Sequence, residues 1–249
     1  MDIKMVNDLQ NWIRDYVESA NSKGVVLGMS GGKDSLIVAK LCINALGNEN
    51  VYGVIMPNGE MKDFSDAQKT CELLKMPYTV INIADAYNSV IENTKNLLKG
   101  VKKEITSVSL VNTAPRIRMT TLYSIAGSLN YLVANTSNLS EAMTGYTTKW
   151  GDNVGDFAPI ANFTKTEVCE IGDLLNLPKD LVFKKPSDGL TGKTDEDNMG
   201  ITYDELDSYI REGKTPKNFE KIQKLFKISK HKRNGIAKFE NNLPNHFFN

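Results

Sequence analysis

Val25-Val26-Leu27 runs into Gly28-Met29-Ser30-Gly31-Gly32-Lys33-Asp34-Ser35 and then into an apolar stretch from Leu36 to Leu46. No other part of the chain narrows the fold as far. An unbroken apolar run bounded by turn residues reads as a strand buried on both faces, and the stretch after it is long enough for a buried helix. A strand, a glycine-rich turn and a helix in that order build an anion cradle. Glycine lets the backbone approach closely, and the unpaired N–H groups of the first helical turn point at bound oxygens. Phosphate is the expected guest.

Spacing separates this turn from the two commoner phosphate loops. A Walker A loop needs Gly, four residues, then Gly-Lys followed at once by Ser or Thr; here Leu27 stands five residues before Gly32, and Asp34 separates Lys33 from Ser35. No G-x-G-x-x-G occurs either. What is left resembles the pyrophosphate loop of the N-type ATP pyrophosphatases, which cleave ATP between its α and β phosphates and leave an adenylated substrate.

The 249 residues, 41% of them apolar, can bury one full α/β core, and a single domain over 1–249 is expected. Thirty basic residues balance thirty acidic ones, which argues against nucleic acid as a partner. Met1-Asp2-Ile3-Lys4 lacks the pattern of a signal peptide, and no apolar run approaches the ~20 residues of a membrane span, so a cytoplasmic protein is expected. Cys42, Cys71 and Cys169 lie far apart in apolar helical surroundings and read as buried small hydrophobes.

An amphipathic helix is expected over Asp2 to Ser19, with Ile3, Val6, Leu9, Ile13 and Val17 on one stripe. Strand readings follow at Val51 to Met56, Tyr78 to Ile83 and Tyr131 to Ala134, with helices at Phe64 to Leu74 and Met119 to Leu129 between them. Strand and helix alternate, so the fold class is α/β: a doubly wound parallel sheet with helices on both faces, and ligands beyond the strand C-termini. Thr164 with Glu167, and Thr202 with Glu205, fit capping boxes. The Pro-, Gly-, Asp- and Lys-rich segment from Asn176 to Gly200 reads as a long loop, and Phe219, Ile222 and Phe226 mark a last helix before His231-Lys232-Arg233.

Asn135-Thr136-Ser137-Asn138-Leu139-Ser140-Glu141 follows the fourth strand, and then comes Gly145-Tyr146-Thr147-Thr148-Lys149-Trp150-Gly151-Asp152. Small hydroxyl residues at a strand end can approach a nucleotide, and a carboxylate there can share Mg²⁺ with Asp34, since this hard ion prefers oxygen. Those two stretches, with Arg116-Ile117-Arg118-Met119, Pro186-Ser187-Asp188-Gly189-Leu190 and Lys193-Thr194-Asp195-Glu196, resemble the NAD synthetase family over about Gly28 to Arg233.

The resemblance implies an adenine nucleotide alpha hydrolase-like fold and ATP-dependent amidation of nicotinic acid adenine dinucleotide (deamido-NAD). ATP is the co-substrate, ammonia the nitrogen donor, and NAD, AMP and pyrophosphate the products. It implies ATP contacts from Gly28, Met29, Ser30, Gly31, Gly32, Lys33, Asp34, Ser35, Thr136, Lys165 and Ser187. Asp34, Lys165 and Ser30 carry the chemistry, and Asp34 with Glu141 holds Mg²⁺. Deamido-NAD falls to Arg116, Lys149, Asp156, His231 and Lys232, while Arg118 reads as structural and Trp150 as packing. Pro115 restricts the residue before it, so an altered approach to Arg116 is expected. The family forms homodimers. Its glutamine-dependent members carry a glutaminase domain for which this N-terminus leaves no space, so free ammonia is expected.

Two rivals share the loop: a GMP synthetase-like amidating enzyme, and a tRNA-thiolating enzyme, which would call for reactive cysteines and a basic surface. A third reading is a non-catalytic nucleotide sensor. Segments 184–196 and 228–235, poor in apolar anchors, are expected to order over bound ligands.

Overall fold

The computed structural model describes residues 1–184 and 195–239. Four strands, β1 (Gly24–Gly28), β2 (Val51–Ile55), β3 (Tyr78–Val80) and β4 (Tyr131–Val133), form one sheet in the order β3-β2-β1-β4. Every pairing is parallel, with Val26 opposite Tyr52 on one side and Val133 on the other. A further parallel bridge joins Ala134 to Phe157 beyond β4.

Strand side chains alternate between faces, and the two hydrophobic clusters follow that period. Val25 and Leu27 of β1, with Val51 and Ile55 of β2, enter one cluster with helices α1 (Ile3–Ser19), α2 (Lys33–Leu46), α3 (Phe64–Leu74) and α7 (Lys165–Leu174). Val26, Val54 and Val133 point the other way, toward Ala114, Leu122 and Ala126 of α5 (Ser107–Leu129) and Tyr87 of α4 (Ala84–Gly100). Helices therefore cover both faces, as expected. α2 is nearly all core: Leu36, Ile37, Val38, Ala39, Leu41 and Cys42 are fully or almost fully buried. Truncating Ile37 to Ala would cost about 2–5 kcal/mol through the cavity it leaves.

α6 (Leu139–Thr144) follows β4, and α8 (Lys179–Val182) and α9 (Asp195–Met199) fall where a long loop was expected. A third cluster joins Met199, Ile201, Tyr203, Leu206 and Ile222 through α10 (Tyr203–Glu212) and α11 (Phe219–Ile228), and α12 (Lys230–Arg233) closes the described chain. Thr164 and Glu167 form the expected capping box. Thr202 caps α10 by accepting from the Glu205 amide.

Three readings change. β3 ends at Val80, although the Ile81 and Ile83 amides still bond the Ile55 and Pro57 carbonyls. The helix read from Met119 starts at Ser107 and holds Pro115 in its interior. There the proline lacks the N–H an α-helix would use, yet the helix continues through Arg116. α4 escaped the pattern because only Ile91 on its whole length is buried. No helix among the described residues is long and apolar enough to cross a membrane.

Candidate active site

The Ser30–Ser35 turn leaves β1 at its C-terminal end. Gly31 takes φ of +78°, and a Cβ there would meet the Asp63 carbonyl oxygen at 2.9 Å and the Ala67 nitrogen at 3.0 Å. Both conformation and space demand glycine. Gly32 is the N-cap of α2 and has no side chain to cap the first turn, which leaves first-turn amides for a ligand. Ser30 and Ser35 lie hydroxyl to hydroxyl at 3.2 Å, and Ser35 Oγ donates to the Gly32 carbonyl at 2.9 Å.

Gly28 ends the strand, and the Met29 side chain is buried in the core with its amide bonded to the Val54 carbonyl. Lys33 turns toward α7, its Nζ 3.5 Å from Cys169 Sγ. Thr136 stands half-buried in the β4–α6 turn. Ser187 lies outside the described residues. Lys184, the last residue before that segment, pairs through Nζ with Asp63 (3.2 Å) and Asp66 (2.5 Å), beside Gly31.

Three elements bring Asp34, Glu141 and Lys165 to one point. Asp34 is on the first turn of α2. Glu141 is the third residue of α6, where Asn138 and Glu141 form a capping box, and Lys165 opens α7 behind the Thr164 cap. Lys165 Nζ donates to Asp34 Oδ2 at 2.5 Å and to Glu141 Oε1 at 3.1 Å. Lys165 is only 5% exposed, so the lysine read from sequence as a fixed charge at a helix start is interior. Burial disfavours its charged form, but the two carboxylates outweigh that and hold the ammonium well above its ordinary pKa. Burial also lifts Glu141 above the ordinary glutamate value; Lys165 opposes that shift and Asp34 adds to it. Asp34 Oδ1 is buried with no hydrogen-bond partner among the described residues, an orphaned acceptor.

A second group gathers on other terms. Arg116 Nε donates to the Lys149 carbonyl at 3.2 Å, and Lys149 Nζ to the His231 carbonyl at 2.6 Å. Lys232 Nζ bonds the Gly145 and Thr147 carbonyls, both at 2.7 Å, and its burial lowers its pKa while Asp152 pulls it back up. α12, within the segment 228–235 expected to order over ligands, lies against the 145–149 turn. Pro115 does not hold Arg116 away: a Cβ at Gly151 would meet Pro115 Cβ at 2.9 Å, so the turn packs on the proline itself. Trp150 is 44% exposed at φ +62°, with Lys149 Nζ 5.0 Å from its ring centre, which does not fit the expected packing role. Arg118 Nε holds the Met56 carbonyl at 2.9 Å, in keeping with a structural role.

Asp156 is not brought into that group by any contact. Its Oδ2 accepts from the Val133 amide at 2.7 Å and its Oδ1 from the Tyr123 hydroxyl at 3.2 Å, so both oxygens serve the edge of the sheet. The sequence reading also passed over Asp207. It is 6% exposed on α10 and accepts from Ser140 Oγ (2.5 Å), Thr166 Oγ1 (2.7 Å) and the Thr166 amide (2.8 Å). Its signal was positional: Tyr203, Leu206 and Asp207 share the buried stripe of α10, where a charge is out of place.

A parallel sheet wound on both faces, with a Ser-Gly-Gly-Lys-Asp-Ser turn after its first strand and a buried lysine facing that turn, defines an α/β protein of the adenine nucleotide alpha hydrolase-like class. The family pattern for NAD synthase matches residues 5–241, and the chain belongs to that family. It is 44% identical over 246 residues to the NH(3)-dependent NAD(+) synthetase of Thermococcus sibiricus, covering 92% of this chain and 94% of that one. Among solved structures, NMN synthetase from Francisella tularensis superposes with a TM-score of 0.86 at 33% identity, covering 96% and 98% of the two chains. The NH3-dependent NAD synthetase of Campylobacter jejuni gives a TM-score of 0.77 at 31% identity, covering 96% and 100%.

Proposed function

We propose that this enzyme amidates deamido-NAD with ammonia and ATP, giving NAD, AMP and pyrophosphate. The observation that carries the reading is the Lys165 ammonium fixed between Asp34 and Glu141 beside the uncapped start of α2. Attack of the pyridine carboxylate on the α-phosphorus of ATP forms the acyl-adenylate and expels pyrophosphate. Ammonia then adds at the acyl carbon, AMP leaves with the C–O bond pair, and the surplus ammonium proton passes to water or base.

In the first step the amides at the start of α2 and the Ser30 and Ser35 hydroxyls receive the departing pyrophosphate, and Lys165 supplies a positive charge that needs no solvent reorganisation. Mg²⁺ is part of this reading. Asp34 with its orphaned oxygen and Glu141 would hold it, a donor set of one or two carboxylates completed by phosphates being the habit of this ion. When bound it neutralises charge building on the leaving group. Arg116, Lys149, His231 and Lys232 are assigned to the dinucleotide, Arg116 for its planar fork. Asp156 is assigned to the dinucleotide by the family resemblance alone, its oxygens bonding Val133 and Tyr123 at the sheet edge.

A homodimer belongs to the same reading, supported by apolar side chains left in water on and beside α4 and α5: Leu97 is 70% exposed, Val108 66% and Val101 60%. A cytoplasmic location is supported by the three free, buried cysteines. Those same buried thiols speak against the thiolating rival, and nothing favours a GMP synthetase-like substrate.

One observation favours a second reading, the likeness to the Francisella NMN synthetase. The same chemistry would then act on nicotinic acid mononucleotide. Incubation with ATP, Mg²⁺ and ammonium, beside either deamido-NAD or the mononucleotide, decides. AMP and NAD with the dinucleotide are expected. Turnover of the mononucleotide alone favours the second reading, and no AMP with either acid defeats both.

A further inference from the structure

Lys165 is held at both of its ends by one helix that carries no other part of the site. Its ammonium lies 5.3 Å from the centre of the Tyr203 ring, within the range at which a ring face attracts a cation. Its backbone amide donates to Ser140 Oγ at 3.0 Å, and that hydroxyl donates onward to Asp207 Oδ1. Tyr203 and Asp207 are four residues apart on α10, one turn of the same face. Asp207 Oδ2 takes the amide and hydroxyl of Thr166, so a single buried carboxylate fills the first turn of α7 and grips α6 at the residue before Glu141.

We propose that Asp207 is a positioning residue for ATP·Mg²⁺. It acts through Ser140 and the first turn of α7 to set where the Lys165 ammonium stands between Asp34 and Glu141. This rests on the reading of that group as the ATP site. A long side chain such as lysine reaches a fixed point only if its backbone is fixed, and a misplacement of ~1 Å at a reacting group can cost ~10²-fold. Because Asp207 serves α6 and α7 together, loosening it shifts Glu141 against Lys165. The Arg116 and Lys149 group is tied to α6 only at its far end, through Gly145 and Ala142, and hangs otherwise on α5, the 145–149 turn and α12, so a smaller displacement is expected there.

Asp207→Asn keeps the size of the side chain but offers an N–H₂ where Ser140 or Thr166 needs an acceptor. Calorimetric titration with ATP·Mg²⁺, and separately with deamido-NAD, reads the result on the whole protein. ATP·Mg²⁺ binding is expected to weaken about tenfold with the dinucleotide changed less than twofold. Ser140→Ala, which cuts the relay while leaving the carboxylate in place, is expected to give the same split. In a Lys165→Met background Asp207→Asn is expected to add less than twofold, since the residue it positions is gone. Equal loss for both ligands, an undiminished tenfold loss without Lys165, or no loss in either single variant would each overturn the proposal. Failure of the unaltered protein to bind ATP·Mg²⁺ would defeat the ATP reading and this inference with it.

Discussion

Asp34, Glu141 and Lys165 meet side chain to side chain in the interior, whereas Arg116, Lys149, His231 and Lys232 are gathered at the surface through backbone carbonyls. In the first region opposite charges neutralise one another in a medium where removing any one leaves the others unmet. In the second each cation rests on a dipole, and water can replace it at small cost. The interior group is therefore preset for chemistry. Among the described residues, no salt bridge takes up the Arg116, Lys149 or Lys232 charge, although Asp152 attracts Lys232, so they are available to an anionic ligand.

Lys165→Met should do the greatest damage to the free protein, because Asp34 and Glu141 then face each other with side chains only 18% and 16% exposed. A loss of about 3–5 kcal/mol is expected for a broken buried pair, read by denaturant unfolding, with added Mg²⁺ restoring part of it. An unfolding midpoint that stays put would erase the contrast between the regions. Asp34→Asn and Glu141→Gln come next. Each is expected to lower AMP formation at saturating Mg²⁺ by about 10²–10³, and near-normal rates in both would remove the metal from the first region.

Substitutions in the second region should read out differently. Arg116→Ala and Lys149→Ala are expected to raise the KM for deamido-NAD by about tenfold while leaving that for ATP within about twofold. The opposite split would mean that the two regions have been assigned to the wrong ligands.

The smallest effect comes from an ion pair on the exposed side of the first turn of α7, where Arg211 holds Glu167 through both oxygens. Partial burial raises the Glu167 pKa, but the Arg211 bonds and the Thr164 cap outweigh it and leave it below the ordinary glutamate value. A depressed carboxylate stabilises the fold above its unfolded pKa, and that contribution is lost as pH falls through the folded value. Glu167→Gln should thus cost roughly 0.5–1 kcal/mol at pH 7, and unfolding curves of the two proteins should converge as pH falls below the ordinary glutamate range. A gap that persists in acid would point to the cap geometry rather than charge.

How far each region could be read from sequence follows the same division. The phosphate turn was legible because its parts are contiguous, and the glycine, the strand before it and the helix after it each leave a local mark. The Thr164–Glu167 cap was legible for the same reason. α4 was not, since one buried residue in seventeen leaves no period to detect. Asp207 was passed over despite its place on the stripe with Tyr203 and Leu206, since an acidic residue amid Asp204, Glu205 and Glu212 looks like a solvated face until Ser140 and Thr166 are brought under it. The packing role given to Trp150 came from residue type, and its exposed ring does not fit it; the ligand role of Asp156 came only with the family resemblance, and its bonds to the Val133 amide and the Tyr123 hydroxyl leave no mark in the local sequence.

Beyond the charged residues named by family resemblance, the sequence by itself determined the parallel α/β class and the anion-binding turn. Those depend on periodicity, spacing and turn chemistry within a few residues. Only the tertiary structure decided that Lys165 is interior, that Asp34 and Glu141 share it, and that α10 supports it from below. Burial and partnership join residues 24, 67 and 131 positions apart, and no local pattern encodes a contact whose energy exists only once the chain has closed around it.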